Sequence, residues 1–318
     1  MTTPLRKLRV KLSTSFPGWP VQQQTPGGRA VWEGVEFLIN QPVEECDAWF
    51  VYDGIPIKDT TICPQGCVVL VTSEPSTFKR YNSAWMRGFD HVITSQHGLR
   101  HPSVTYTQTG LPWLIHKTYD ELRLMPLPEK TGLISVISST KATTRGHRQR
   151  LRFVRELMRE TPVQVFGRGF HPLDDKWDGL APFRFSIAIE NSCHTHYWTE
   201  KFSDCVLAGT IPLYHGCPNM NDYFPAGASI SLDITNGPAA IQQVKSLLER
   251  AEDEYKSRLS ALVEARQLVL DEHNLFNLIA RAAAVMNTRL PRQVRTVGPE
   301  PKPGWLQKRW GKLISCFR

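Results

Sequence analysis

Short apolar runs separated by turn residues constrain this chain more than any other feature. The first third contains LRVKLSTSF, VEFLI, DAWFVYDGI, CVVLVTSEP and HVITSQ. Runs this short and this rich in Val, Ile and aromatic residues read as buried parallel strands. A short helix is expected over Phe78–Arg87. The pattern lapses over TYDELRLMPLPEKT, where Pro126 and Pro128 mark a linker. A second series then begins, with strands expected at 133–140, 163–167, 185–190, in TIPLYHG and at 229–234. Helices are expected over 145–160 and Thr199–Leu207. A long helix follows with Ile241, Val244, Leu247, Ala251, Tyr255 and Leu262 among the residues on one face, and a last helical stretch runs from Glu272 to about Asn287.

Strand–helix alternation in two blocks predicts two Rossmann-like, doubly wound α/β domains facing a crevice. They are expected over 1–125 and 126–288, followed by a basic tail over 289–318. The charge supports a separate tail. The whole chain carries a formal +8, and residues 289–318 hold eight Lys/Arg against the single acid Glu300, which is +7. The body therefore carries only about +1, and it lacks the basic, aromatic-lined sheet of a nucleic-acid binder. Seven cysteines without a C-x-x-C pair fit a reducing compartment better than a disulfide framework or zinc site. No stretch of about 18 apolar residues suggests a membrane-spanning helix, and the N-terminus has no apolar core of a secretory signal. A cytoplasmic location is expected.

In doubly wound sheets, ligands sit at the carboxyl ends of the strands. The stretch FRFSIAIENSCHTHYWTEKFSDCVLAG places Glu190, Asn191 and Ser192 at one such end and Glu200-Lys201 on the first turn of the next helix. A helix N-terminus attracts phosphate, Lys201 adds a full charge, and Glu200 is the kind of carboxylate that accepts ribose hydroxyls. The plainer alternative is a cap, with Thr199 as N-cap and an acid in the first turn. Lys141, Arg145, His147, Arg148 and Arg150 cluster past another strand end, where arginines suit a diphosphate; a solvated helix face is the alternative for any one of them. G-x-G-x-x-G, the P-loop motif and D-x-D are all missing from the sequence. His194 and His196, two apart in a loop, read as surface or pocket lining rather than metal ligands.

FSIAIENSCHTHYWTEKFSDCVLAGTIPLYHGCPN, with SSTKATTRGHRQRLRFVREL and VQVFGRG upstream, resembles the donor-binding core of family 10 glycosyltransferases, the α1,3/4-fucosyltransferases. The likeness covers about Leu133–Asp233 and is faint over the first 125 residues. It implies a GT-B fold, GDP-fucose as donor, inversion at the anomeric centre, an α1,3-type linkage and no obligatory metal, a divalent ion being at most stimulatory. Carried over residue by residue, it implies a diphosphate-binding Arg150, a donor-site amide at Asn191, a phenol at Tyr197, a ribose-binding Glu200 and a phosphate-binding Lys201. An inverting displacement needs a base on the acceptor side. Glu74, which follows the strand of VVLVTSEPS, is the candidate, with ordinary turn chemistry as the alternative.

The family's Y-R-x-D-S-D element is replaced here by MRGFDHVITS, so the acceptor, a free or lipid-linked glycan, stays open. Two other readings remain: a GT-B enzyme using another nucleotide sugar, and an inactive glycan- or nucleotide-binding module. In the tail, GWLQKRWGKLISCFR sets Trp and Leu opposite Lys and Arg, the composition of a helix lying on an anionic membrane. A peripheral position on the inner membrane face is therefore expected, with a disordered basic tail or a helix docked on the protein itself as the alternatives.

Overall fold

The computed structural model describes residues 7–16, 18–140 and 145–301. Its first body is built on β1 (Leu8–Thr14), β2 (Val31–Trp32), β3 (Val35–Ile39), β4 (Ala48–Tyr52), β5 (Asp59–Pro64), β6 (Val68–Val71), β7 (His91–Thr94) and β8 (Val104–Tyr106). All but β5 form a seven-stranded sheet in the order β2-β3-β1-β4-β6-β7-β8, parallel except for the β2–β3 edge. Its central strands are buried on both faces, and every residue of β4 and β6 is inaccessible. This explains why they read as unbroken apolar runs rather than alternating ones. The helix expected over Phe78–Arg87 reduces to α1 (Ser83–Met86), because the Asn82 side chain caps the amides of Ala84 and Trp85 at 2.9 and 3.0 Å.

The second body holds β9 (Gly132–Ile137), β10 (Gln164–Phe166), β11 (Phe183–Ile189), β12 (Ile211–His215) and β13 (Ile230–Ser231). These form an all-parallel sheet in the order β10-β9-β11-β12-β13. Around it lie α2 (Tyr119–Leu124), α3 (Arg145–Glu160), α4 (Glu200–Leu207), α5 (Gly237–Leu248), α6 (Ala251–Ser257) and α7 (Leu259–Asp271). The single long helix of the sequence pattern is thus three segments, interrupted at Glu249–Arg250 and at Arg258.

The chain divides differently from the expected 1–125, 126–288 and 289–318. Trp113, Ile115 and Leu122 already belong to the second core, and Arg266 donates to the Leu122 carbonyl at 2.7 Å. Helix α8 (Leu275–Ala284) returns to the first body, with Leu275, Phe276, Ile279, Ala280 and Ala283 in its core and Phe276 edge-on to Phe37 at 5.0 Å. The four residues of α1 cannot cover one face of a seven-stranded sheet, so a helix from the far end of the chain does so. Where the two crossings meet they touch: Gly110 has φ +61, and a Cβ there would come within 2.7 Å of the Leu275 Cα.

Part of the expected tail is also structural. Strand β14 (Arg292–Val297) pairs antiparallel with β5 along its whole length. Arg292 bridges Glu45 at 2.9 Å and the buried Asp47 at 2.8 Å, and Arg295 pairs with Asp90 at 2.7 Å. Glu300 reaches Lys79 at 3.4 Å. These charges serve the fold. The amphipathic segment proper, 302–318, lies outside the described residues. Among the described residues no helix is long and apolar enough to cross a membrane.

Arg292→Ala should therefore destabilise the protein by about 2 kcal/mol, since a charge-assisted bond to a buried carboxylate is lost. Truncation after Pro301 should leave the unfolding midpoint unchanged, and truncation after Leu290 should lower it sharply. Thermal unfolding monitored by circular dichroism separates these outcomes.

Candidate functional site

The site is built where β4, β6, β9 and β11 end, facing one another across the crevice. Its foundation is Glu190, the residue after β11, whose side chain is fully inaccessible. The Glu190 carboxylate accepts from the Thr199 amide at 2.8 Å and from the Thr199 hydroxyl at 2.8 and 3.0 Å. It also accepts from the Tyr214 hydroxyl at 3.3 Å. Thr199 is the N-cap of α4 and accepts from the Lys201 amide. One carboxylate thus locks the strand end to the helix start.

Lys201 and Glu200 project from that cap. The Lys201 ammonium lies 3.1 Å from Glu200, 3.4 Å from Glu190 and 3.0 Å from the Thr199 hydroxyl. Glu200 has a second cation, Lys176, at 3.6 Å, and Lys176 also bridges Asp204 at 2.9 Å. Burial works against ionising Glu200, but Lys201 and Lys176 outweigh it and hold the carboxyl down at about 2. Burial likewise disfavours the Lys201 ammonium, and Glu200 with Glu190 overcomes it, so the amine stays charged well past its ordinary range. Burial dominates at Glu190 itself and pushes its carboxyl up against the pull of Lys201.

Arg150, on α3, donates to the Asn191 side-chain oxygen at 3.0 Å, while its Nε is buried without a partner. Arg150, Lys176, Glu200 and Lys201 line a cavity of about 260 Å³ together with Ser138, whose buried hydroxyl also lacks a partner. Unpaired buried donors that share a cavity with the first turn of α4 and with two lysines suit an anionic, hydroxyl-bearing ligand such as a nucleotide. Among the described residues no group of three or more His, Cys, Asp or Glu is placed to hold a metal.

Across the crevice, Glu74 follows β6 and lines a second cavity of about 500 Å³ with Asn191, Tyr197, Glu200 and Lys201. Glu74, Arg150, Asn191, Tyr197, Glu200 and Lys201 thus all line one or the other cavity, with Glu200 and Lys201 common to both. The Glu74 backbone is clamped on both sides. Its amide donates to the Tyr81 hydroxyl at 3.5 Å, and its carbonyl accepts from Gln96 at 2.6 Å. Tyr81 in turn donates to Asp53, which also takes Lys79 at 3.2 Å and Ser15 at 3.3 Å. Burial raises the Glu74 carboxyl above its ordinary value, and the Asp53 charge raises it further. Tyr197 is buried, and that burial, with Glu190 and Glu74 nearby, keeps its phenol protonated.

Not all of the basic cluster joins in. Lys141 and the side chain of Arg145 lie outside the described residues, His147 is buried within α3 and Arg148 is exposed. His196, with φ +67, donates its amide N–H to the Asn219 side-chain oxygen at 2.8 Å. Its ring lies 2.5 Å from the Tyr223 hydroxyl and stacks on His97 of the first body at 5.6 Å. His194 lines a small crevice cavity with Cys193 and His97. Sequence reasoning missed Lys176, Tyr81 and Gln96. Only Lys176 carried a signal, as a lone lysine in the loop before β11.

Two bodies with largely parallel sheets that meet at their strand ends form a GT-B-type fold. Solved structures agree on that fold. An α1,3-fucosyltransferase with GDP matches at a TM-score of 0.50 and 16% identity, covering 86% of this chain and 94% of that one. An α-glucosyltransferase in complex with UDP and a mismatched DNA 13-mer matches at 0.52 and 10% identity, covering 87% and 100%.

Residues 127–260 match the family model described as "Glycosyltransferase family 10 (fucosyltransferase) C-term". An alpha-(1,3)-fucosyltransferase 4 from Bos taurus is 32% identical over 139 residues, 41% of this chain and 34% of its own length. Two proteins named GDP-fucose protein O-fucosyltransferase 3 are also similar. The one from Danio rerio is 24% identical over 58% of this chain, and the one from Gallus gallus is 22% identical over 76%. The chain spans 43% and 56% of the length of those two relatives.

Asp53→Asn should lower the Glu74 pKa, because a neighbouring negative charge is removed while burial is unchanged. Carbon-13 NMR titration of the Glu74 carboxyl reads this directly, and a pKa unmoved or raised contradicts the coupling.

Proposed function

We propose that the protein is an inverting fucosyltransferase that moves L-fucose from GDP-fucose to a hydroxyl of a glycan, with an α1,3-type linkage. The observation that carries the reading is the continuity of the two cavities through Glu200 and Lys201, with cations on one side and Glu74 on the other. In this reading the diphosphate lies between Arg150 and Lys201, a ribose hydroxyl donates to Glu200, and Asn191 and Tyr197 contact the sugar end of the donor. The acceptor oxygen attacks the anomeric carbon and its proton passes to the Glu74 carboxylate. The bond from that carbon to the phosphate oxygen breaks, and both its electrons leave on GDP. Arg150 and Lys201 stabilise the charge that develops there, the role that fixed cations play in phosphate-type leaving. Leu111 and Leu114 give the larger cavity an apolar stretch that suits a 6-deoxy sugar.

Isothermal titration calorimetry with GDP, UDP and dTDP tests the donor. GDP should bind tightest, and Arg150→Ala or Lys201→Ala should weaken it by roughly 10- to 100-fold, the worth of a charge-assisted bond. Wild-type affinity in both variants would overturn the assignment. Glu74→Gln should keep GDP affinity within about twofold and cut turnover by roughly 100-fold, the scale of general-base catalysis. Turnover should also fall as pH drops through the raised Glu74 pKa, because only the carboxylate accepts the proton.

A further inference from the structure

The larger cavity has two unlike walls. The second body supplies the polar and charged groups already described. The first body supplies Phe16, Trp19, Tyr52 and Ser73 beside Glu74. We propose that Phe16, Trp19 and Tyr52 form the acceptor subsite, and that the acceptor it takes is a pyranose ring rather than a peptide. This rests on the donor and base reading above.

The aromatic pair stands at the mouth of the site without a core to explain it. Phe16 is 47% exposed, and Trp19 packs edge-on to it at 6.2 Å. A turn just after β1, in which the Trp19 amide donates to the Phe16 carbonyl at 3.1 Å, holds the two rings together. A sugar ring has one face of C–H groups and a rim of hydroxyls. An aromatic surface beside a few placed polar groups matches that division.

The second observation is independent of the first. Tyr52 ends β4 and is 2% exposed, yet its hydroxyl has no hydrogen-bond partner and the residue lines this same cavity. Leaving a buried hydroxyl unpaired is costly, so a ligand oxygen that pairs with it is favoured. Burial, with Asp53, Glu74 and Glu200 around it, keeps the phenol protonated and therefore a donor. Tyr52 pairs in register with Val71 of β6, so its ring and Glu74 rise from adjacent strand ends. A hydroxyl of the acceptor held by Tyr52 sits beside the base.

The sheet order argues against a peptide. Extended peptides bind well by adding a strand to a free edge. Phe16 and Tyr52 follow β1 and β4, which lie inside the seven-stranded sheet, while its edges are β2 and β8. No unpaired strand backbone faces the subsite from these elements.

The test measures transfer from GDP-fucose to methyl glycosides and disaccharides of galactose, glucose and N-acetylglucosamine, and to Ser/Thr peptides. Wild type, Trp19→Ala, Trp19→Phe and Tyr52→Phe are compared. A sugar should be the acceptor, with its KM raised tenfold or more in Trp19→Ala and restored in Trp19→Phe. Tyr52→Phe should lower kcat/KM for the sugar about tenfold. GDP affinity by calorimetry should match wild type in all three, which also reports that they are folded. Transfer to peptides alone, or an unchanged sugar KM in Trp19→Ala, overturns the subsite while leaving the donor reading intact. Loss of GDP binding in wild type, or full turnover in Glu74→Gln, would instead sink the donor and base reading.

Discussion

The Glu190 carboxylate is the group on which the site depends. It is a charge-bearing side chain with no exposure, at a point where burial disfavours ionisation. It is tolerated because four protein groups converge on it: the Thr199 amide and hydroxyl, the Tyr214 hydroxyl and the Lys201 ammonium. Those groups come from the loop before α4, from β12 and from α4 itself. The carboxylate therefore sets the distance between a strand end and a helix cap, and with it the position of Glu200 and Lys201. Buried, fully partnered polar groups of this kind specify one geometry, since any displacement leaves a costly unpaired atom. Lys201 thus has two duties, as a partner for Glu190 and as a charge presented to the cavity.

The path of the chain bears on how the two bodies move. They are joined twice, at 107–112 on the way out and at 272–274 on the way back, and the two crossings touch at Gly110 and Leu275. A pair of adjacent connections permits bending about the line between them and restrains twisting. Across the crevice the direct contacts are few and light. Thr77 meets Ser192, His97 stacks on His196, and the Gln108 amide donates to Tyr223 at 3.2 Å. Such contacts can be exchanged for contacts to a ligand at small cost. Stronger contacts join the bodies away from the site, where Gln24 donates to the buried Trp113 carbonyl at 2.9 Å and Trp32 packs edge-on to Tyr119 at 5.5 Å.

Much of this was legible in the sequence, and the reason differs by element. Buried parallel strands stand out because each is an unbroken apolar run, and Thr199-Glu200-Lys201 stands out because a cap and its first turn are contiguous. Glu74 and Asn191 could be placed because strand ends converge in doubly wound sheets, and Tyr197 was placed by the family resemblance. What stayed hidden depends on pairing over long separations. Nothing local marks 292–297 as the partner of 59–64, since an edge strand with half its residues exposed has no apolar run and shows three positively charged or polar residues in four. Helix α8 is plain as a helix, but its allegiance to the first body is a fact of topology. Tyr81 and Gln96 are ordinary turn and loop residues until the fold gathers them behind Glu74.

Chemistry in the crevice follows from how differently three nearby glutamates are treated. Glu200 has two lysines and is held ionised in spite of its burial. Glu190 has the same lysine as its neighbour but no water, and burial wins. Glu74 is desolvated and set near Asp53, so its carboxyl is raised above its ordinary value. An ionised Glu200 is an acceptor for hydroxyls and nothing more, and Glu190 is spent on structure. Glu74 alone of the three combines a raised pKa, a clamped backbone and a side chain on the wall of the larger cavity. One fold thus treats three carboxylates differently, and the difference lies in how deeply each is buried and in which charges stand nearest to it.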